Sequence, residues 1–158
     1  MPAQPESLIL DANLLVLLVV GSVDERQVPT FKRTRAYTRD DFRLLLGFMS
    51  RFGTLMVTPH ILTEATNLLD DLKEPMRTTA FGFLRELISR SEERFEKSAE
   101  LAGRRQFVRL GLADTAVHSV AEAGAALLTA DLDLYLAASA TSRHAVNFNH
   151  LRSGAWGL

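Results

Sequence analysis

Two short apolar runs in this chain each end on an aspartate, and that pairing restricts the folds open to it. Ser7-Leu8-Ile9-Leu10 leads into Asp11, and Leu127-Leu128-Thr129-Ala130 leads into Asp131. Short apolar runs bounded by polar residues read as strands buried on both faces, as in a parallel sheet. Open parallel sheets bind ligands beyond the carboxyl ends of their strands, where the strand order reverses. As strand-end residues of one such sheet, Asp11 and Asp131 belong on the same rim, on either side of that crevice. Carboxylates gathered there suit a hard cation.

The rest of the chain alternates between the two patterns. Asn13–Val20 reads as the start of a helix covered on both sides, and Gly21 to Tyr37 as a polar loop with Pro29 in it. That loop carries Lys32, Arg33 and Arg35, with Arg39 just beyond, a cluster suited to phosphate contacts or to plain solvation. Thr38 and Asp41 have capping-box spacing, and Phe42, Leu45, Leu46 and Met49 then recur at helical intervals. Leu55-Met56-Val57 is a second strand. Thr58-Pro59 starts a helix with an N-cap and a proline at its first position, followed by a stripe of Ile61, Ala65, Leu68, Leu69 and Leu72.

A further helix spans about Met76 to Ile88, and Ser89 to Arg105 is a charged helical stretch or loop. Gly111 precedes a helix over Ala113–Ala123 that stops before Gly124. Ala126–Ala130 is a third strand, Leu134–Ser139 a short helix, and Ala145–Phe148 alternates like a final edge strand. The alternation predicts a single α/β domain over 1–158, in three layers, with a mostly parallel central sheet of about four to five strands flanked by helices.

Composition removes several classes of function. The chain has no cysteine, which excludes disulfides, thiolate zinc and iron–sulfur sites and fits a cytoplasmic protein. A net charge of −1 gives no global attraction to nucleic acid, so any basic surface must be local. Leu14 to Val20 is too short to span a bilayer, and it lacks the basic flank and cleavage site of a signal peptide. No membrane partner is expected.

Two more acids join the strand-end pair. Glu64 follows Ile61 by three residues and precedes Leu68 by four, which helix geometry places on the apolar stripe. An unpaired carboxylate there is costly unless it meets a cation or donors. Asp114 opens its helix after Gly111-Leu112-Ala113, a position the helix dipole also favours. Asp131 and Asp133 compete as N-cap of the helix after them. Gathered carboxylates repel one another, so one or more should have a raised pKa without metal.

The ordered set resembles the PIN-domain nucleases, the family that includes VapC-type toxins. The matching stretches are Leu8-Ile9-Leu10-Asp11-Ala12-Asn13, Thr58-Pro59-His60-Ile61-Leu62-Thr63-Glu64, Leu112-Ala113-Asp114-Thr115-Ala116 and Leu127 through Leu134, with Val146-Asn147-Phe148 like the family's last strand. The resemblance implies a sheet flanked by helices and an acidic pocket that binds Mg²⁺ or Mn²⁺ and hydrolyses RNA phosphodiesters. Asp11, Glu64, Asp114 and Asp131 match its acidic positions, while Asn13, Thr129 and Asp133 match polar neighbours that support them. It also implies a homodimer and, for a toxin, an antitoxin protein that masks the pocket. The Gly21–Tyr37 segment is longer than the family's compact members have.

Other readings fit less well. Asp131-Leu132-Asp133 resembles the nucleophile motif of haloacid-dehalogenase phosphatases, but Tyr135 stands where a Thr or Val belongs and too little chain follows. A receiver domain needs a late strand-end lysine, and none follows Lys97. His60, His118, His144 and His150 have no metal-pair spacing, and Phe42, Phe48, Phe52, Phe81 and Phe83 read as core. Trp156 packs back on the body or joins an interface, and the sequence leaves both open. A non-catalytic module of the same fold is the competing class.

Overall fold

The computed structural model describes residues 4–156, and of the last two of these it describes the backbone alone. Strands β1 (Ser7–Leu10), β2 (Thr54–Val57), β3 (Glu92–Glu93), β4 (Ala126–Thr129) and β5 (Ala145–Asn147) form one sheet in the order β3-β2-β1-β4-β5. Every neighbouring pair is parallel. The chain builds outward from β1 to β3 on one side, then returns to add β4 and β5 on the other. Strand order therefore reverses between β1 and β4, whose register pairs Leu10 with Leu128. This is the α/β fold with a parallel sheet that the alternation predicts.

Period-two alternation along the strands creates the layers. Leu8, Leu10, Ala126 and Leu128 face one core, shared with α1 (Ala12–Val23), α2 (Arg39–Met49) and α4 (Met76–Arg90). Ile9 and Leu127 face the other, shared with α6 (Phe107–Glu122) and α7 (Leu132–Ser139). Ile61 of α3 (Pro59–Leu69) joins this second core, whereas Ala65 and Leu69 belong to the first. Helix α1 is buried at every position from Leu14 to Gly21, as a helix apolar all round must be. Both foreseen starts are present: Thr38 and Asp41 form a reciprocal capping box, and the Thr58 hydroxyl accepts the Ile61 N–H ahead of Pro59.

Three stretches differ from the sequence reading. Ser89 to Arg105 holds β3 and the short helix α5 (Ser98–Ala102). Strand β3 has exposed side chains and joins the sheet only by pairing with Met56 and Val57, so it carries no apolar signal. The last strand stops at Asn147, whose side-chain oxygen accepts the Asn149 N–H at 2.8 Å, and Phe148 begins α8 (Phe148–Trp156). The side chain of Trp156 lies outside the described residues. Gly111 (φ 79°, ψ 177°) breaks a helix that starts earlier, at Phe107, and such a backbone is open essentially to glycine alone.

The Gly21–Tyr37 segment is not a free loop. Helix α1 runs on to Val23, a 3₁₀ turn spans Glu25–Gln27, and Val28, Phe31 and Thr34 are buried. Its cations are held by acids of the same chain. Arg33 and Lys32 pair with Asp71, and Arg39 and Arg43 pair with Glu25. The hydrogen bonds from Arg43 and then Arg39 hold the Glu25 carboxyl down at about 2. Of the cluster, Arg35 alone has no acid partner among the described residues. Among those residues no helix is long and apolar enough to cross a membrane.

Gly21 marks the tightest packing in α1. A Cβ there would run into the ring of buried Phe42, whereas a Cβ at Gly47 meets nothing within 4 Å. Helix propensity favours Ala over Gly by about 1 kcal/mol at either site, and overpacking costs about 1–3 kcal/mol. Gly47→Ala is therefore expected to raise the midpoint of urea denaturation slightly and Gly21→Ala to lower it. Equal shifts for the two would show that Phe42 moves aside freely.

Candidate acidic functional site

Asp11 ends β1 and is the N-cap of α1, in extended backbone geometry (φ −71°, ψ 169°). One carboxylate oxygen accepts the Leu14 N–H at 2.9 Å. The other accepts the Thr129 hydroxyl and the Ala130 N–H, the latter at 3.1 Å. The side chain thus crosses the switch point and grips the end of β4. Asp11 is only 3% exposed, and burial pushes its carboxyl up. The three donors pull it back, and the Asp131 charge adds to the rise.

Thr129 links the two strand-end acids. Its buried hydroxyl donates to Asp11 and accepts the Asp131 N–H at 3.0 Å. Asp131 is exposed and caps α7 by accepting the Leu134 N–H at 2.9 Å. Both acids therefore do the capping work that any strand-to-helix turn requires.

The other two acids do no such work. Neither Glu64 nor Asp114 takes part in a hydrogen bond or ion pair among the described residues. The break at Gly111 restarts α6 so that Asp114 falls in the first turn of its second half, half-buried. Loss of water pushes its carboxyl up to about 7, helped by the charges of Asp11, Asp131 and Glu64 in that order. Those three repulsions put Asp11, Asp131 and Glu64 within electrostatic reach of Asp114. The Glu64 carboxyl is raised by partial loss of water and then by Asp11.

Glu64 is not on the buried stripe, contrary to the sequence expectation; its surface is exposed. The buried positions of α3 are Ile61, Ala65 and Leu69, spaced by four, and Leu68 is only half-buried. Glu64 flanks that row, within electrostatic reach of Asp11. Asn13 is the one exposed residue between Leu8 and Gly21 and opens that stretch to solvent beside Asp11. Asp133 does not support the acids: it is exposed and pairs with Arg109 at 2.9 Å. Of the histidines, His118 is buried against the Ala137 carbonyl and His150 meets the edge of Tyr135, both packing roles.

Sequence reasoning missed Tyr37. Its hydroxyl is pushed up to about 12 by burial and then by the Asp11 charge, with Asp41 adding and Arg152 opposing. The ring packs on Phe148 at 5.8 Å and under the Arg152 guanidinium at 5.0 Å. Asn149 also approaches the site, donating to the Ala130 carbonyl at 3.4 Å. Tyr37 ends a stretch read as a loop and Asn149 falls just past one read as an edge strand, so no spacing pointed to them.

The donor set is oxygen only, as a hard cation prefers. Among the described residues, however, no three His, Asp or Glu side chains form a ready group around one ion. Mg²⁺ tolerates this, because it keeps several waters and needs only one or two carboxylates. No protein-family model matches the sequence, and comparison with curated proteins and with solved structures returns no match.

The raised Asp114 carboxyl makes stability depend on pH. Its folded value of about 7 exceeds the ordinary 3.8, so the folded state binds the proton more tightly. The penalty is then full above about 7 and fades as the pH falls toward about 4. If wholly dry, that gap is worth about 4 kcal/mol, and roughly half remains with water at the rim. Asp114→Asn is expected to stabilise the protein by about 2 kcal/mol at neutral pH, with little gain near pH 4. Urea titrations across that range check it, and a pH-independent difference would remove Asp114 from the cluster.

Proposed function

We propose that this chain is a Mg²⁺- or Mn²⁺-dependent endoribonuclease of PIN type that hydrolyses RNA phosphodiester bonds at the acidic rim. One observation carries the reading: the charges of Asp11, Asp131 and Glu64 all bear on Asp114 near the switch point, and none of the four carboxylates has an ion-pair partner among the described residues. A site so arranged is unfavourable for folding alone and suits a divalent ion.

Asp11 and Asp131 would hold the ion directly, with Glu64 and Asp114 as direct or water-mediated ligands or as positioners of the attacking water. Bound there, the ion supplies charge neutralisation, a more acidic water and stabilisation of the departing oxygen. Thr129 fixes the orientation of both strand-end acids, and exposed Asn13 offers an amide to a phosphate or ribose at the same opening. By the same resemblance the chain is the toxin of a toxin–antitoxin pair, acting in the cytoplasm as a homodimer restrained by an antitoxin protein. That no three such side chains group around one ion among the described residues supports the second reading, a non-catalytic PIN-like module that binds RNA or a protein.

Cleavage of a mixed RNA pool with Mn²⁺ or Mg²⁺, against chelator, separates the two. The nuclease reading expects cleavage by the wild type, loss with chelator, and loss in Asp114→Asn and Asp11→Asn. Equal cleavage by wild type and variants would sink the site assignment, and no cleavage by any would favour the binding module. A second readout needs no substrate. Millimolar Mn²⁺ is expected to raise the wild-type melting temperature by mass action, and to do so far less in Asp11→Asn.

A further inference from the structure

The end of the sheet opposite the acids carries a hollow of contrary charge. It has a volume of about 280 Å³ and lies where the strands begin, with Ala126 at the foot of β4 in its wall. Phe48 and Phe52 form one side, their rings 5.4 Å apart, and Gln4, Arg51, Arg143 and His144 supply the polar groups. No Asp or Glu lines it. Ala126 and Thr129 are opposite ends of the same strand, about 10 Å apart, so the hollow is separate from the acidic rim.

The charge census sets this place apart. Of the 18 lysines and arginines, eleven have an acid partner among the described residues. Arg51 and Arg143 belong to the seven that do not, and they meet at one hollow. Glu6, the acid nearest to it along the chain, forms no ion pair with either arginine. Arg51 lies just past the carboxyl end of α2, where the helix dipole favours a cation, but that accounts for one guanidinium and not for two. Its guanidinium is also laid over the Phe48 ring at 5.2 Å, which presents a flat, oriented donor set at the wall of the hollow.

We propose that this hollow binds an organic anion in which a phosphate or carboxylate adjoins a flat ring. Two guanidiniums supply the bidentate donors such an anion takes, with the His144 ring nearby as a third polar group. Half-buried Phe52, beside Phe48 under the Arg51 guanidinium, supplies the apolar wall against which a base or an aromatic ring packs. A nucleoside monophosphate and an aromatic acid share this chemistry, and the volume admits a ligand of about that size. The site does not depend on the nuclease reading, because none of its residues touches the acids.

Calorimetric titration of the full chain in chelator, at low salt, tests it with three probes: uridine monophosphate, benzoate and inorganic phosphate. Uridine monophosphate or benzoate is expected to bind more tightly than inorganic phosphate, and the one preferred identifies the source. Arg51→Gln and Arg143→Gln are each expected to weaken that binding by about tenfold, the equivalent of one charged hydrogen-bonding group. Asp114→Asn should leave it unchanged, which keeps this result apart from the fate of the acidic site. Both arginines are exposed, so their variants are expected to melt like the wild type. Binding that survives both substitutions, phosphate bound as tightly as the ring-bearing anions, or no binding at millimolar ligand would each overturn the proposal.

Discussion

The carboxylate of Asp11 carries three obligations at once, and the arrangement around it follows from them. Helix α1 is buried at Ala12 and again from Leu14 onward, so the buried Leu14 N–H at its start needs an acceptor from the chain. Asp11 is that acceptor for Leu14. Its second oxygen holds the Thr129 hydroxyl and the Ala130 N–H, which fastens the end of β1 to the end of β4 where the sheet changes direction. The charge that makes these bonds strong is the same charge that repels Asp114 and Glu64. A neutral acceptor would cap the helix without loading the rim.

What the sequence made legible tracks how much each element owes to local chemistry. The central strands β1, β2 and β4 announce themselves by apolar runs, because a central parallel strand is covered on both faces. Caps are equally local: Thr38 with Asp41, and Thr58 with Pro59, need only neighbours within one turn. Strand β3 is invisible because Glu92 and Glu93 contribute only main-chain pairing at an exposed edge. The long loop looked solvated because its partners are remote. The Arg33–Asp71 bond spans 38 positions, and no window along the chain contains both ends.

The candidate site was legible in part for the same reason. Asp11 and Asp131 follow from strand ends, and Asp114 follows from a glycine break. Glu64 came with the wrong environment, because a stripe that includes both Leu68 and Leu69 does not say which defines the buried row. The structure buries Leu69 and leaves Leu68 half-covered, which turns Glu64 to the flank. Tyr37 was illegible altogether. It reaches the acids only because the loop folds down on Phe31 and Thr34 and because α8 begins at Phe148 beneath its ring.

The four acids do not bear equally on function. A carboxylate that caps a helix is accounted for by the fold, so Asp11 and Asp131 would be placed as they are in a protein with no chemistry at all. Asp114 is different. It has no hydrogen-bond or ion-pair partner among the described residues, yet burial and three like charges push its carboxyl up to about 7. Glu64 likewise gains no bond from the side it faces. The chain does neutralise charge elsewhere, since Glu25 draws two arginines and Asp71 an arginine and a lysine. Leaving the rim without a cation, in a molecule that supplies cations so readily to other acids, is a stability cost that the fold itself does not require. Such costs concentrate where a ligand offsets them, and that argument singles out Asp114 and Glu64, rather than the two capping acids, as the part of the rim the fold leaves unexplained.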